Sequence, residues 1–293
     1  MAAVKPIPSL NWYDISDPAS PDLDELARKF SLHELQIEDT RHPPQRAKSE
    51  EHDGYIFTVL KKLKCTEEVN FEDFDAFLGP DFLITIHTGP CAIVDRVQHR
   101  AEQNQVNRID RLFYTIIDLV VDEYQPLLDY LSDKISDIES EVLERPDPEV
   151  LSSIFRLKRD LILFRRISGA MREVVNAIMR REKGLVGDDL DPYFRDVYDH
   201  LLRTVELIES DRDLLTGSLD IYLSAVANRT NEVMKVLTIY GTIALPLLII
   251  TGFFGMNLKL SWEQDVHGIW YAVALMSAST AAVLLYFKRK RWF

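Results

Sequence analysis

The sequence predicts an α+β domain followed by a long helical stalk and two C-terminal transmembrane helices, and three observations predict it. Stretches with strand character are confined to residues 1–106. Beyond them apolar residues recur at helical spacing with no convincing strand. Near the end, residues 236–258 and 268–287 contain no Asp, Glu, Lys, Arg or His. At a rise of ~1.5 Å per residue these runs cover ~35 and ~30 Å, enough to cross a hydrocarbon core of ~30 Å.

In the first region, residues 11–15, 54–63, 69–77 and 82–87 are rich in aromatic and branched side chains and read as strands. Helices alternate with them over 21–30, opened by Pro21-Asp22, over 32–39 and over 92–103. From about residue 107, Ile109, Leu112, Phe113, Ile116, Ile117, Val120 and Val121 fall on one helical face. Pro146 and Pro148 end that helix after Arg145, and a second arm over 149–182 makes 107–190 an antiparallel helical hairpin with an acidic outer face. After a loop holding Gly184, Gly187 and Pro192, one helical pattern runs from Tyr193 through the stalk (191–235) into the first span (236–258). A helix of about 60 residues is ~90 Å long and needs partners for its apolar face, so self-association is expected. Gly217, Gly241 and Pro246 interrupt its regularity, and Pro246 is expected to kink it. An outward loop (259–267), the second span (268–287) and a basic tail (288–293) complete the chain.

The basic cluster Lys288, Arg289, Lys290 and Arg291 predicts a cytoplasmic C-terminus, and two spans then return the N-terminal region to the same side. The absence of a signal peptide agrees. Trp270, Tyr271, Tyr286 and Trp292 lie near the ends of the second span, where amphipathic rings favour the interface. The balance of 34 basic against 47 acidic residues, net −13, argues against nucleic acid and favours cationic over anionic partners. Cys65 and Cys91 form neither a disulfide framework nor a zinc motif, which fits a reducing compartment. Phosphate-loop, dinucleotide, nucleophile-elbow and zinc-protease motifs are all missing, so neither an enzyme nor a nucleotide partner is expected. A passive conduit, a sensor and a tethered scaffold remain. The first span carries Thr238, Thr242, Thr251 and Asn257. Asn231, Met234, Leu237 or Thr238, Gly241, Leu245, Leu248 and Gly252 share one stripe. That stripe suits a pore lining and a helix-packing face equally.

TNEVMKVLT leads into the first span, GMN at Gly255, Met256 and Asn257 closes it, and KRKRWF follows the second. QIEDT (36–40), EVLERP (141–146) and PYFRDVYDH (192–200) extend the match over nearly the whole chain. In these segments the sequence resembles the CorA family of magnesium transporters. The resemblance implies a funnel-shaped homopentamer in the inner membrane, in contact with lipid, that moves magnesium and also cobalt. By it, Gly255, Met256 and Asn257 form the outer mouth, with Asn257 amide oxygens receiving a hydrated ion. Leu248 and Leu245 continue the conduit, Leu237 and Met234 make an apolar constriction that closes by dewetting, and Asn231 forms a polar ring beneath. Asp220 makes an acidic ring at the cytoplasmic exit. Regulatory magnesium is expected between subunits, where Asp39 faces Asp196 of a neighbour, with Glu38 beside them and Asp118 as a further metal position. Many members carry a longer N-terminal extension, so an abbreviated first sheet is expected. After GMN the chain reads LKLSWEQDVHG where many relatives have an MPEL-like loop. Glu263 or Asp265 can concentrate cations there and Lys259 opposes them. Two rivals stay open: a zinc transporter of the same architecture and a non-conducting divalent-ion sensor.

Overall fold

The computed structural model describes residues 10–64, 69–103, 106–144, 146–180, 184–256, 267–290 and 292. It divides into two compact units, Met1–Leu219 and Asp220–Phe293. In the first, β1 (Trp12–Ile15), α1 (Pro21–Lys29), α2 (Glu34–Arg41), β2 (Lys48–His52), β3 (Tyr55–Leu63), β4 (Phe71–Leu78), β5 (Leu83–His87) and α3 (Ala92–Glu102) precede three longer helices. These are α4 (Ile109–Asp122), α5 (Tyr124–Glu144) and α6 (Pro148–Met179). The sheet order is β1-β5-β4-β3-β2, with β1 parallel to β5 and the other neighbours antiparallel.

Alternation along the strands splits the core in two. Ile15, Tyr55, Phe57, Val59, Phe77, Ile84 and Ile86 cluster with Leu23 and Leu26 of α1 and Ile37 of α2. Leu60, Phe74, Ala76 and Leu83 occupy the alternate positions, are equally buried, and face the side covered by α4, against which α3 packs. Local signals start the helices as chemistry requires. The Ser20 side chain accepts from the Asp22 N–H, His33 Nδ1 accepts from the Leu35 N–H at 3.2 Å, and Pro148 stands in the first turn of α6.

Two elements differ from expectation. The strand β2, reading KSEEH, is an edge strand whose charges gave no alternation to detect. It pairs with β3 from His52↔Tyr55 to Lys48↔Val59 through the tight turn at Asp53-Gly54, where Gly54 has φ +94. The helix expected from residue 107 onward is interrupted at Glu123. Pro126 explains the break: it has no N–H for the Asp122 carbonyl, and its ring crowds that carbonyl. Arg145 and Glu182, at expected helix ends, lie outside the described residues, as does Cys65, while Cys91 is a buried free thiol.

The turn into the last helix of the first unit is tied down by charge. Gly187 N–H donates to Asp110 Oδ2 at 3.0 Å, and Arg108 bridges Asp110 and, at 3.0 Å, Asp189. A short 3₁₀ turn at Asp188–Leu190 then opens α7 (Asp191–Phe254), 64 residues long. This helix runs unbroken past Gly217, Gly241 and Pro246 and continues into the second unit. There, among the described residues, α7 and α8 (Gly268–Arg289) are the two helices long and apolar enough to cross a membrane, and almost none of either apolar run is buried.

Candidate functional site: an acidic surface and an apolar helix

Glu38 and Asp39 sit in the last turns of α2, Glu38 exposed and Asp39 half-buried. Asp39 Oδ2 accepts a hydrogen bond from Lys48 Nζ at 2.7 Å, and the same ammonium donates to Glu50 Oε1 at 2.7 Å. Burial alone would lower the Lys48 pKa, but Asp39 and Glu50 outweigh it and hold it raised. The Asp39 charge is therefore already offset within one chain. Lys48 escaped the sequence reading because its strand did.

Asp118 and Asp196 come from α4 and the first turns of α7, brought together by aromatic packing. The Tyr114 ring lies 5.5 Å from that of Tyr193 and 5.4 Å from that of Phe194. Burial pushes the Tyr114 phenol up, and Asp118, Asp196 and Asp122 push it further. Burial also raises the Asp118 carboxyl, with Asp122 adding to it, while the Tyr114 hydroxyl and Arg100, at 3.6 Å, oppose the shift. Asp196 is well exposed, 3.9 Å from His200 Nε2. The fold thus groups Asp118 and Asp196 around Tyr114 and leaves Glu38 and Asp39 on the helices of the opposite sheet face. Tyr114 was the missed member, although it precedes Asp118 by one helical turn.

Among the described residues no three His, Cys, Asp or Glu side chains converge to hold a metal ion within one chain. The donors at both places are carboxylate oxygens, the type that hard divalent cations prefer. At Asp39 such an ion must compete with Lys48.

In the second unit Asp220, Asn231, Met234, Leu237, Leu245 and Leu248 all lie on α7, and all are exposed. The threonines do not distinguish a pore face from a packing face. Thr238 Oγ1 donates to the Met234 carbonyl and Thr242 Oγ1 to the Thr238 carbonyl, both at 2.7 Å, and Thr251 Oγ1 donates to Leu247 at 2.9 Å. Each hydroxyl is satisfied by its own helix. The helix ends where Gly255 N–H donates to the Thr251 carbonyl at 2.9 Å, and a Cβ at Gly255 would stand 3.1 Å from that oxygen. Met256 follows, exposed; Asn257, Lys259, Glu263, Asp265 and Arg291 lie outside the described residues. At the other end of α8, Trp292 stacks on Phe287 at 5.2 Å.

The model of the CorA-like Mg2+ transporter protein family matches residues 8–289. The cobalt/magnesium transport protein CorA of Thermotoga maritima is 36% identical over 96% of this chain and 83% of its own length. The putative metal ion transporter YfjQ of Bacillus subtilis is 32% identical over 98% of this chain and 91% of its own. Among solved structures, the complete CorA magnesium transporter from Methanocaldococcus jannaschii has a TM-score of 0.83 at 24% identity, covering 96% of this chain and 91% of that one. The cytoplasmic domain of ZntB from Vibrio parahaemolyticus has a TM-score of 0.65 at 14% identity, covering 75% of this chain and 89% of that domain, a likeness of fold alone.

Proposed function

Because this chain belongs to the CorA-like Mg2+ transporter family, it is a membrane protein of metal-ion transport, and we propose that it conducts magnesium inward as a homopentamer, with cobalt as a second ion. The observation that carries the choice of ions is the 36% identity, over nearly the whole chain, to a relative named for cobalt and magnesium transport. Five copies of α7 line the pore in this reading. Asn257, with Gly255 and Met256, receives the hydrated ion at the outer mouth, since neutral amide oxygens hold its water shell without trapping it. Leu248 and Leu245 continue the path, Leu237 and Met234 close it by dewetting, and Asn231 and Asp220 form polar and acidic rings toward the cytoplasm. Both termini are cytoplasmic, and the membrane is the inner one, with Lys288, Arg289 and Lys290 anchoring the inward end of α8. A potential of ~100 mV, negative inside, supplies about 4.6 kcal/mol for a divalent ion, so no other energy source is required.

Regulation rests on magnesium between neighbouring subunits, bridging Asp39 of one to Asp196 of the next with Glu38 beside them, and on Asp118 as a further metal position. Facing carboxylates repel, and a divalent ion turns the repulsion into a link. When cytoplasmic magnesium falls the links are lost and the closed population declines. Asp39→Ala and Asp196→Ala should each weaken the protection from proteolysis that magnesium confers, and undiminished protection in both would remove these residues from the sensor.

The test of the transport reading is flux into proteoliposomes with magnesium, cobalt and zinc in parallel, under an imposed potential or an imposed proton gradient. Potential-driven magnesium entry without a proton gradient is expected. Zinc flux that needs the proton gradient, with no magnesium entry, would replace this reading with the zinc one; binding without any flux would leave a sensor.

A further inference from the structure

A groove of about 960 Å³ opens in the first unit, lined by the loop before β2, the β3 and β4 strands and α6. Its lining includes Arg46, Lys61, Arg165, Arg166 and Arg172 against one acid, Glu173. In a chain of net charge −13 this is a local inversion of sign. Two of these cations are neutralised within the fold: Lys61 pairs with Asp73, and Arg165 with Glu209. Of the other three, Arg172 pairs with Glu173, and among the described residues Arg46 and Arg166 have neither an ion pair nor a hydrogen bond. Arg172 reaches only Glu173, through Nη2 at 3.4 Å, and its Nε is buried without an acceptor.

A buried guanidinium N–H without an acceptor is unfavourable, and neighbouring cations raise one another's energy unless an anion joins them. Guanidinium forks match phosphate oxygens in two-point hydrogen bonding. Arg46 stands in the loop before β2, while Arg166 and Arg172 stand on α6. Cations spread over two elements suit an extended anion better than a single small one, and the volume is that of a small-molecule site. We propose that this groove binds a small polyanion carrying two or more phosphate groups. The missing phosphate loop speaks to nucleotide hydrolysis and leaves such binding open. The preference for cationic partners read from the overall charge then holds for the rest of the surface and not here. This site is independent of the transport reading.

The full chain in detergent, stripped of divalent ions, is titrated calorimetrically with tripolyphosphate, ATP and citrate. Tripolyphosphate and ATP are expected to bind, with affinity falling about tenfold or more in Arg46→Gln/Arg166→Gln, whose side chains are exposed and whose folding is therefore preserved. Arg172→Lys, which keeps the charge and loses the fork, should also weaken binding. Equal affinity for the two would identify the phosphate chain alone as the recognised group, and tighter ATP binding would add a nucleoside contact with the apolar wall at Phe71 and Ile167. Absence of tripolyphosphate and ATP binding at millimolar concentration, unchanged affinity in the double variant, or citrate binding as tightly as tripolyphosphate would each overturn the proposal.

Discussion

Asp75, on β4, is 3% exposed, and its Oδ1 has no hydrogen-bond partner. Burial pushes its carboxyl up to about 7; Asp73 and Asp39 add to the shift, and the Thr40 hydroxyl and Lys61 oppose it. In the unfolded chain the same acid titrates near ~3.9. Between these values the native state holds more protons than the unfolded one, so stability falls as pH rises through this window and the loss is complete above it. The full penalty is on the order of 4 kcal/mol. Asp75→Asn should therefore raise the melting temperature by several degrees at pH 8 and change it little at pH 4; an equal change at both would show that the charge is not its cause. Lys48 supports a second expectation. It offsets Asp39 and Glu50 at 2.7 Å each, so Lys48→Met should lower the magnesium concentration that half-protects the protein from proteolysis, whereas Asp39→Ala should raise it. A midpoint that stays put in Lys48→Met would show that no ion competes with this ammonium.

At the scale of the element, legibility followed how far each signal depends on distant contacts. The two membrane helices and the helical character after residue 107 are written in long runs and repeated spacing, which need no tertiary partner to be read. Strand β2 is polar and stands at the sheet edge, and only the Asp53-Gly54 pair hinted at a hairpin there. The apolar spacing of α4 continues into α5, so the break at Glu123 was missed, Pro126 being its one local sign. The acidic candidates came from motif resemblance, which named Asp39, Asp118 and Asp196 and was silent on Lys48 and Tyr114. Their neighbours are set by strand pairing and by aromatic packing between α4 and α7, neither of which is local in sequence. Two element-level expectations follow. Gly54→Ala places a Cβ at φ +94 and should cost about 1–2 kcal/mol in denaturant titration, and no loss would mean the turn relaxes freely. Thr238→Val removes a hydroxyl already spent on the Met234 carbonyl and should leave flux within about twofold, whereas a large loss would assign that hydroxyl to the ion path.

For the whole molecule, the governing fact is an apolar surface that one chain cannot bury. Met234, Leu237, Leu245 and Leu248 on α7, and Ile269, Trp270 and Leu285 on α8, are each more than half exposed. Lipid and further copies of the chain are the environments that remove such surface from water. The 64-residue length of α7 means that one element carries both Asp196 and the proposed gate, so the proposed regulatory site and the proposed constriction share one helix. In the proposed transporter this helix lines a magnesium path whose outer mouth is formed by Asn257. The most direct test of that proposal is magnesium entry into dye-loaded proteoliposomes, without ATP, under an inside-negative potential, comparing the natural chain with Asn257→Ala. Entry that rises with the potential and is lost in the variant, while the variant remains an assembled oligomer, is the expected result; equal entry in both, or none in either, would contradict it.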